Sequence, residues 1–253
     1  MPASSDHGPG ILLMRKFSIV LLLTFPLAYG LALGQDTGAT RTSANQKLAD
    51  ELASIKPEII SRDKWGAKPA GEGLRPHNPI AVILHHTGVA QNAKYTLEQK
   101  MRGLQNYSQS VEEVSPGHVK SMWPDVPYHF YIDMAGSIAE GRNVNYEGDT
   151  NTAYDPSGYI QIVLEGDFEK ENPGKEQLTA LEGLLVWLMH SWNISNERLG
   201  VHLDHAQTDC PGKNFISVLQ DVRLRLTKRR EALIRKFCEE GTKPEFNKMH
   251  CRI

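Results

Sequence analysis

Cysteine is scarce in this chain, and neither sign of charge is in clear excess. Three cysteines in 253 residues are too few for a disulfide-based scaffold, and their odd number leaves at least one thiol unpaired within the chain. The 28 basic side chains are balanced by 30 acidic ones, so the basic excess typical of a nucleic-acid-binding protein is missing and no nucleic-acid partner is expected. With 40% hydrophobic and 23% charged residues, the composition is globular and excludes a wholly disordered, collagen-like or coiled-coil chain.

The longest apolar run of the chain lies near its N-terminus. Two basic residues, Arg15 and Lys16, precede an uncharged, mostly apolar stretch over 17–34 that ends in small residues. A secretory signal peptide consists of a basic segment, an apolar segment and small residues at the cleavage site. Pro26 interrupts the run, whose length is marginal for crossing a bilayer, and an uncleaved membrane anchor is the alternative. We interpret residues 1–34 as a signal peptide, which predicts a secreted or periplasmic protein without stable membrane association after cleavage.

The rest of the chain divides into three parts. Residues 35–56 are polar and small, and we interpret them as a flexible leader. A folded domain is predicted over 57–227, followed by a C-terminal helix extension and tail over 228–253. This last part contains Cys238 and Cys251, which an exported protein can join in a disulfide. The sequence leaves open whether these two thiols are bridged or free.

Apolar patterns predict strands that alternate with helices in the folded domain. The predicted elements are strands at 81–84 and 160–164, a hairpin turning at 134–136, and helices around 97–104, over 176–191 and from 215 onward. Strands interleaved with helices favour an α/β sheet covered by helices. The pattern leaves the parallel or antiparallel order of the strands open.

Two histidine-bearing segments carry the residue types of a zinc site. His85 and His86 directly follow a predicted buried strand, and His202 lies eight residues before Cys210 in a loop. Imidazole nitrogen and thiolate sulfur are preferred zinc ligands, and a catalytic site uses three of them. Successive side chains of a strand point to opposite faces, so only one of the two adjacent histidines can face such a site. The alternative is that Cys210 is simply a small buried hydrophobic residue.

Five segments, in this order along the chain, carry a resemblance to a known family. They read IISRDKWGAKPA, VILHHTG, WPDVPYHFYIDMAGSIAEGR, IQIVLEGDF and VHLDHAQTDCPG. Over residues 58–226 the chain is similar to the zinc amidases of the peptidoglycan recognition protein and type-2 N-acetylmuramoyl-L-alanine amidase family. The resemblance implies a single domain of α/β class, with a central mixed β-sheet flanked by helices.

The same resemblance implies the site and its chemistry. His85, His202 and Cys210 fall on the positions of the family's zinc ligands, and Tyr128 falls on its catalytic tyrosine. Thr208 falls where recognition-protein amidases have threonine and phage enzymes have lysine. The implied activity is Zn²⁺-dependent hydrolysis of the amide bond between N-acetylmuramic acid and L-alanine, with zinc-bound water as the nucleophile. Peptidoglycan or muropeptides are then the expected partners, and the expected oligomeric state is a monomer.

The chain departs from its relatives in three places. Cytoplasmic relatives carry a general-base glutamate in the central strand, where this chain has Val163, although Glu165 lies on the same face of an ideal strand. Many relatives carry a histidine upstream of that strand, where this chain offers Thr150 and Thr152, so a contact behind the metal ligands is either missing or replaced. The segment 108–122 is longer than is usual in the family, and we predict that it reshapes one wall of the groove in which the family binds its substrate.

Two other functions remain open at this stage. The first is a binding module that recognises muropeptides on the same fold without cutting them. Non-catalytic relatives usually lack the cysteine ligand, so the presence of Cys210 together with Tyr128 favours the enzyme. The second is a zinc endopeptidase that cuts within the stem peptide, which the sequence does not distinguish from an amidase. The preferred stem peptide is not determined by the sequence.

Overall fold

The computed structural model describes residue 46 and residues 49–239, with side chains up to residue 236. The predicted signal peptide at 1–34 lies outside these described residues, as do Cys251 and the side chain of Cys238, so the open question of their pairing lies outside them too. Part of the predicted flexible leader is ordered, because residues 49–55 are helical and Ile55 packs against the main hydrophobic core. No described helix combines the length and the apolar character needed to cross a membrane.

A five-stranded mixed sheet forms the centre of the molecule. Its strands are β1 (Ala81–His86), β4 (Phe130–Ile132), β5 (Ile138–Glu140), β6 (Tyr159–Leu164) and β7 (Leu199–Val201). They lie in the order β5–β4–β6–β1–β7. All neighbours are parallel except β4 and β5, which form the predicted hairpin. This arrangement confirms the expected fold class and supplies the strand order that the sequence left open.

In the described part of the chain, four helices besides the helical segment 49–55 cover the two faces of the sheet. They are α1 (Arg62–Trp65), α2 (Leu97–Ser108), α3 (Lys175–Ser191) and α4 (Lys213–Glu239). Helices α3 and α4 pack on one face in the larger hydrophobic cluster, and α1 and α2 contribute to a smaller cluster on the other. Thr96 begins α2 with a capping box, in which its hydroxyl accepts from the Gln99 N–H and the Gln99 side chain accepts from the Thr96 N–H.

The central strands bury both of their faces, which explains why they read as continuous apolar runs. Val82 and Leu84 of β1 belong to the larger cluster, so Ile83 and His85, at alternate positions, point to the opposite face. On β6, Val163 belongs to the smaller cluster. The β1–β6 register places His85 beside Val163, which directs His85 to the face that carries α1 and α2.

The long segment before β4 forms a separate two-stranded hairpin, β2 (Glu112–Ser115) and β3 (His118–Lys120). Its anchor is Lys120, whose side chain is 2% exposed. The Lys120 ammonium donates to three backbone carbonyls and lies over the rings of Tyr107 and Trp123, 5.1 and 4.6 Å from their centroids. Because carbonyl dipoles and ring faces attract a cation, the hairpin is attached to the C-terminal end of α2.

The second half of α4 continues into the segment 228–253, for which a C-terminal helix extension and tail is predicted, as far as residue 239. Arg230 of this half is buried and donates to the Asn196 side chain and the Ile194 carbonyl. Arg225, one turn before the extension, pairs with Glu182 of α3. These contacts attach the second half of α4 to the rest of the described domain.

Candidate metal centre

His85, His202 and Cys210 meet at one edge of the sheet. His85 is near the end of β1, and His202 opens a short 3₁₀ turn, His202–Asp204, directly after β7. Because β1 and β7 are parallel neighbours, their carboxyl ends lie side by side, and the loop after the 3₁₀ turn brings Cys210 to the same edge. One side-chain ligand atom of each residue lies within 4.8 Å of the others. The Nδ1 atom of His85 is 3.7 Å from the sulfur of Cys210.

The neighbouring histidine points away from this cluster, as the alternation of a strand requires. The Nδ1 atom of His86 accepts a hydrogen bond from the Phe168 N–H at 3.1 Å, and the two rings lie 6.0 Å apart. The backbone of His86 still contributes to the cluster, since its N–H donates to the sulfur of Cys210 at 3.4 Å. The side chain of His86 therefore contacts the loop after β6, and its backbone N–H contacts Cys210.

The electrostatics of the three residues suit a cation. Burial lowers the pKa of His85 well below 6.5 and that of His202 to about 4, so both imidazoles are neutral at pH 7 and each keeps a lone pair. Burial raises the pKa of the Cys210 thiol to about 12, because no basic side chain among the described residues offsets the cost of a buried thiolate. This ligand set fits Zn²⁺: it offers two neutral imidazoles and one thiol, and the thiol ionises when a cation is bound beside it.

Tyr128 and Thr208 lie beside the cluster in different roles. The ring centroid of Tyr128 is 5.2 Å from that of His85, and burial raises the Tyr128 pKa. Its phenol therefore stays protonated at neutral pH and can donate a hydrogen bond. The Thr208 hydroxyl oxygen accepts from the Cys210 N–H at 3.2 Å, which shapes the loop that carries the thiol.

A group of polar side chains lies behind His202. The Nε2 atom of His202 is 2.7 Å from the hydroxyl of Thr152, which is in turn 2.7 Å from the hydroxyl of Thr150. Tyr154 packs against the His202 ring with a centroid distance of 5.2 Å. In the sequence, the two threonines stand out only as a departure from relatives. The contact with His202 brings together residues 50 positions apart, which no local pattern reveals, and Tyr154 was missed altogether.

Glu165 is engaged in structural contacts. Its carboxylate accepts from the ammonium of Lys100 at 2.8 Å and from the backbone N–H groups of Asn92 and Met134, each at 3.0 Å. Both oxygens are thus used to join α2, the loop after β1 and the β4–β5 turn. A carboxylate held in this way is a poor candidate for a general base, and Val163, at the position of the glutamate found in cytoplasmic relatives, is fully buried.

Comparison with protein families and curated proteins gives one consistent answer. The family described as N-acetylmuramoyl-L-alanine amidase matches residues 75–213, a segment that includes all three residues of the cluster. Peptidoglycan-recognition protein SD of Drosophila simulans is 31% identical over 166 residues, which is 64% of this chain and 84% of the relative. Peptidoglycan recognition protein 1 of Mus musculus is 31% identical over 173 residues, 67% of this chain and 90% of the relative.

Solved structures share the fold. Drosophila peptidoglycan recognition protein SD has a TM-score of 0.57 at 27% identity, covering 64% of this chain and 93% of that chain. The N-acetylmuramoyl-L-alanine amidase LysC from Clostridium intestinale has a TM-score of 0.52 at 28% identity, covering 68% and 98%. Peptidoglycan recognition protein-LE in complex with tracheal cytotoxin has a TM-score of 0.54 at 26% identity, covering 64% and 92%. The chain belongs to the peptidoglycan recognition protein and type-2 N-acetylmuramoyl-L-alanine amidase family.

Proposed function

We propose that this protein is a zinc-dependent N-acetylmuramoyl-L-alanine amidase that acts outside the cytoplasm, secreted or in the periplasm. It hydrolyses the amide bond between N-acetylmuramic acid and L-alanine in peptidoglycan or muropeptides. The observation that carries the proposal is the convergence of His85, His202 and Cys210 within 4.8 Å in a chain of this family. The apolar run at 17–34 supports export.

In this proposal the three converging residues hold the metal and Tyr128 assists the reaction. Zinc bound there supplies Lewis-acid chemistry, which polarises an amide carbonyl and makes water a nucleophile near neutral pH. Tyr128, protonated because burial raises its pKa, donates a hydrogen bond to the negative charge that develops on the amide oxygen. Thr208 keeps the loop of Cys210 in place through the bond to the Cys210 N–H, and its hydroxyl hydrogen remains available as a second donor.

Two other activities compete with this proposal. Several relatives are named as recognition proteins, and one of them binds tracheal cytotoxin, which its description gives as a monomeric diaminopimelic acid-type peptidoglycan. A binding module would use the same fold without hydrolysis. The ligand set favours the enzyme, because a buried thiol beside two neutral imidazoles serves metal binding and is not needed to bind a muropeptide. A zinc endopeptidase would use the same metal site on a different bond.

Mass spectrometry of muropeptides separates the three activities. Purified muropeptides are incubated with the zinc-loaded protein, with and without a chelator, and with the Cys210→Ser variant as a matched control. The expected result is free stem peptide and peptide-free glycan, formed only by the wild-type protein without chelator. Fragments cut inside the stem peptide would identify an endopeptidase instead. Muropeptides that are bound but unchanged by zinc-loaded protein would identify a recognition module and overturn the proposal.

A further inference from the structure

We propose that Thr152 is a positioning residue for the metal centre. Its hydroxyl, held by Thr150, orients the His202 ring and selects the imidazole tautomer that presents Nδ1 to the metal. This inference rests on the metal-binding part of the proposed function but not on the bond that is cleaved. It assigns a role to the position where many relatives carry a histidine and this chain carries threonines.

A continuous chain of hydrogen bonds leads away from His202. The Nε2 atom of His202 is 2.7 Å from the Thr152 hydroxyl, and the Thr152 and Thr150 hydroxyls are 2.7 Å apart. The Tyr154 ring packs against the His202 ring, and the Tyr154 phenol donates to the side-chain oxygen of Gln161 at 3.3 Å.

The contact with Thr152 determines which ring nitrogen is left for the metal. The Nε2 atom of His202 is engaged by the Thr152 hydroxyl, so Nδ1 is the nitrogen that remains for the cluster. A metal ligand must be an unprotonated nitrogen, which places the ring proton on Nε2, where it is donated to the Thr152 oxygen. The Thr152 hydroxyl then donates to the Thr150 hydroxyl, which also accepts from the Thr152 backbone N–H at 3.1 Å.

Aromatic packing holds the same group in place. The Tyr154 ring lies 5.2 Å from the His202 ring and 5.9 Å from the His205 ring, and Tyr159 lies 5.1 Å from His205. These contacts restrict rotation of the His202 ring. The hydrogen bond to Thr152 then determines which ring nitrogen carries the proton, because ring packing alone does not distinguish Nδ1 from Nε2. Outer contacts of this kind typically change metal affinity by about 10- to 100-fold when they are removed.

Three variants test the inference. Thr152→Val keeps the shape of the side chain and removes the hydroxyl, and Thr152→Ser retains the hydroxyl. Thr179→Val is the matched control, since the Thr179 hydroxyl bonds only to the Lys175 carbonyl on the exposed side of α3. Zinc affinity is measured by competition with a chromophoric chelator. The tautomer of His202 is read from the ¹⁵N chemical shifts of its ring in chelator-treated protein, which requires no enzymatic activity.

The expected result is a loss of zinc affinity of about 10- to 100-fold in Thr152→Val, together with a His202 ring that no longer carries its proton solely on Nε2. Thr152→Ser should recover most of both properties, and Thr179→Val should match the wild type. Wild-type zinc affinity and tautomer in a folded Thr152→Val protein would overturn the inference and leave the amidase proposal standing. A wild-type protein that binds no zinc would instead overturn the metal site, and this inference with it.

Discussion

The Nδ1 atom of His85 lies 3.7 Å from the sulfur of Cys210, although 125 positions separate the two residues in the chain. His85 is buried and Cys210 is half-buried, and burial disfavours the charged form of each side chain. A neutral imidazole beside a thiol is a modest hydrogen-bonding pair, but it becomes a strong pair of ligands once a divalent cation is present.

Replacing Cys210 with serine should abolish tight zinc binding and leave the fold intact. A serine hydroxyl has the size of the thiol but does not ionise in this buried position, so one of three ligands is lost. Zinc content after dialysis and the far-UV circular dichroism spectrum check the two parts of the prediction. Cys238→Ser makes the same change in the C-terminal helix and should retain zinc. Stoichiometric zinc and full activity in Cys210→Ser would contradict the ligand assignment.

Replacing Tyr128 with phenylalanine should slow turnover and leave zinc binding unchanged. The phenol acts in this mechanism as a hydrogen-bond donor to developing negative charge, and loss of such a donor lowers kcat by about 10²-fold or more. Muropeptide turnover and zinc content are measured on the same preparation. Tyr107→Phe is the matched control, because it keeps the ring beneath Lys120 and lies away from the metal ligands in the sequence. Loss of zinc in Tyr128→Phe would show that the phenol has a structural role instead.

Replacing Glu165 with glutamine should reduce stability and have little effect on turnover. The change leaves the Lys100 ammonium, which is only 10% exposed, without its counter-charge, at a cost of about 3 kcal/mol of unfolding free energy. Urea denaturation gives the stability, and kcat is measured on the folded variant. The double variant Glu165→Gln with Lys100→Met should recover part of the lost stability. A stable Glu165→Gln protein without turnover would instead make Glu165 catalytic.

The fold should lose stability in mild acid partly because of His129. This ring is buried between β4 and β6, where its Nδ1 accepts from the Gln161 N–H and its Nε2 bonds to the Tyr146 carbonyl. Burial lowers its pKa to about 3, against about 6.5 in the unfolded chain. Between these values the unfolded state binds more protons, so the His129 contribution to stability is full above pH 6.5 and declines as the pH falls towards 3.

Urea denaturation at two pH values measures this effect. Between pH 7.5 and pH 5 the His129 contribution should fall by about 2 kcal/mol. His129→Gln should be less stable than the wild type at pH 7.5, yet lose less stability on acidification. Both proteins are measured with chelator, so that proton-driven metal release does not enter the comparison. Identical pH dependence in the two proteins would show that His129 does not contribute to acid sensitivity.

Replacing Lys120 with methionine should loosen the β2–β3 hairpin while sparing the metal centre. Methionine fills similar space but cannot donate to the three carbonyls that surround the ammonium, and among the described residues only the Ser108 carbonyl keeps another donor, the Trp123 N–H. Cleavage by a glutamate-specific protease at Glu112 and Glu113 should become several-fold faster, as expected for easier local opening. Lys64→Met, at an exposed position, should behave like the wild type. If the hairpin is also a wall of the substrate groove, KM should rise in Lys120→Met at unchanged zinc content.

The sequence alone predicted the local features of this protein well. The strand period of two separates His85 from His86, and the structure shows the same separation because backbone geometry alone determines it. The helix at 176–191, the last helix and the β4–β5 hairpin follow from apolar spacing and turn residues, which are also local. The family resemblance, carried by five short segments, was confirmed by the comparisons.

Contacts between distant segments were decided only by the tertiary structure. The sequence left Glu165 open as an acid or base, and its neighbours Lys100, Asn92 and Met134 come from elements that are distant in the chain. At Thr152 the sequence showed only that a histidine found in many relatives is missing, and it is the tertiary structure that brings the Thr152 hydroxyl to His202. Residue types and local periodicity therefore determined which groups the protein possesses and which way each points from its own strand or helix. Which groups meet depends on how parallel strands and their connecting loops close around one another, and this long-range packing leaves no periodic mark in the sequence.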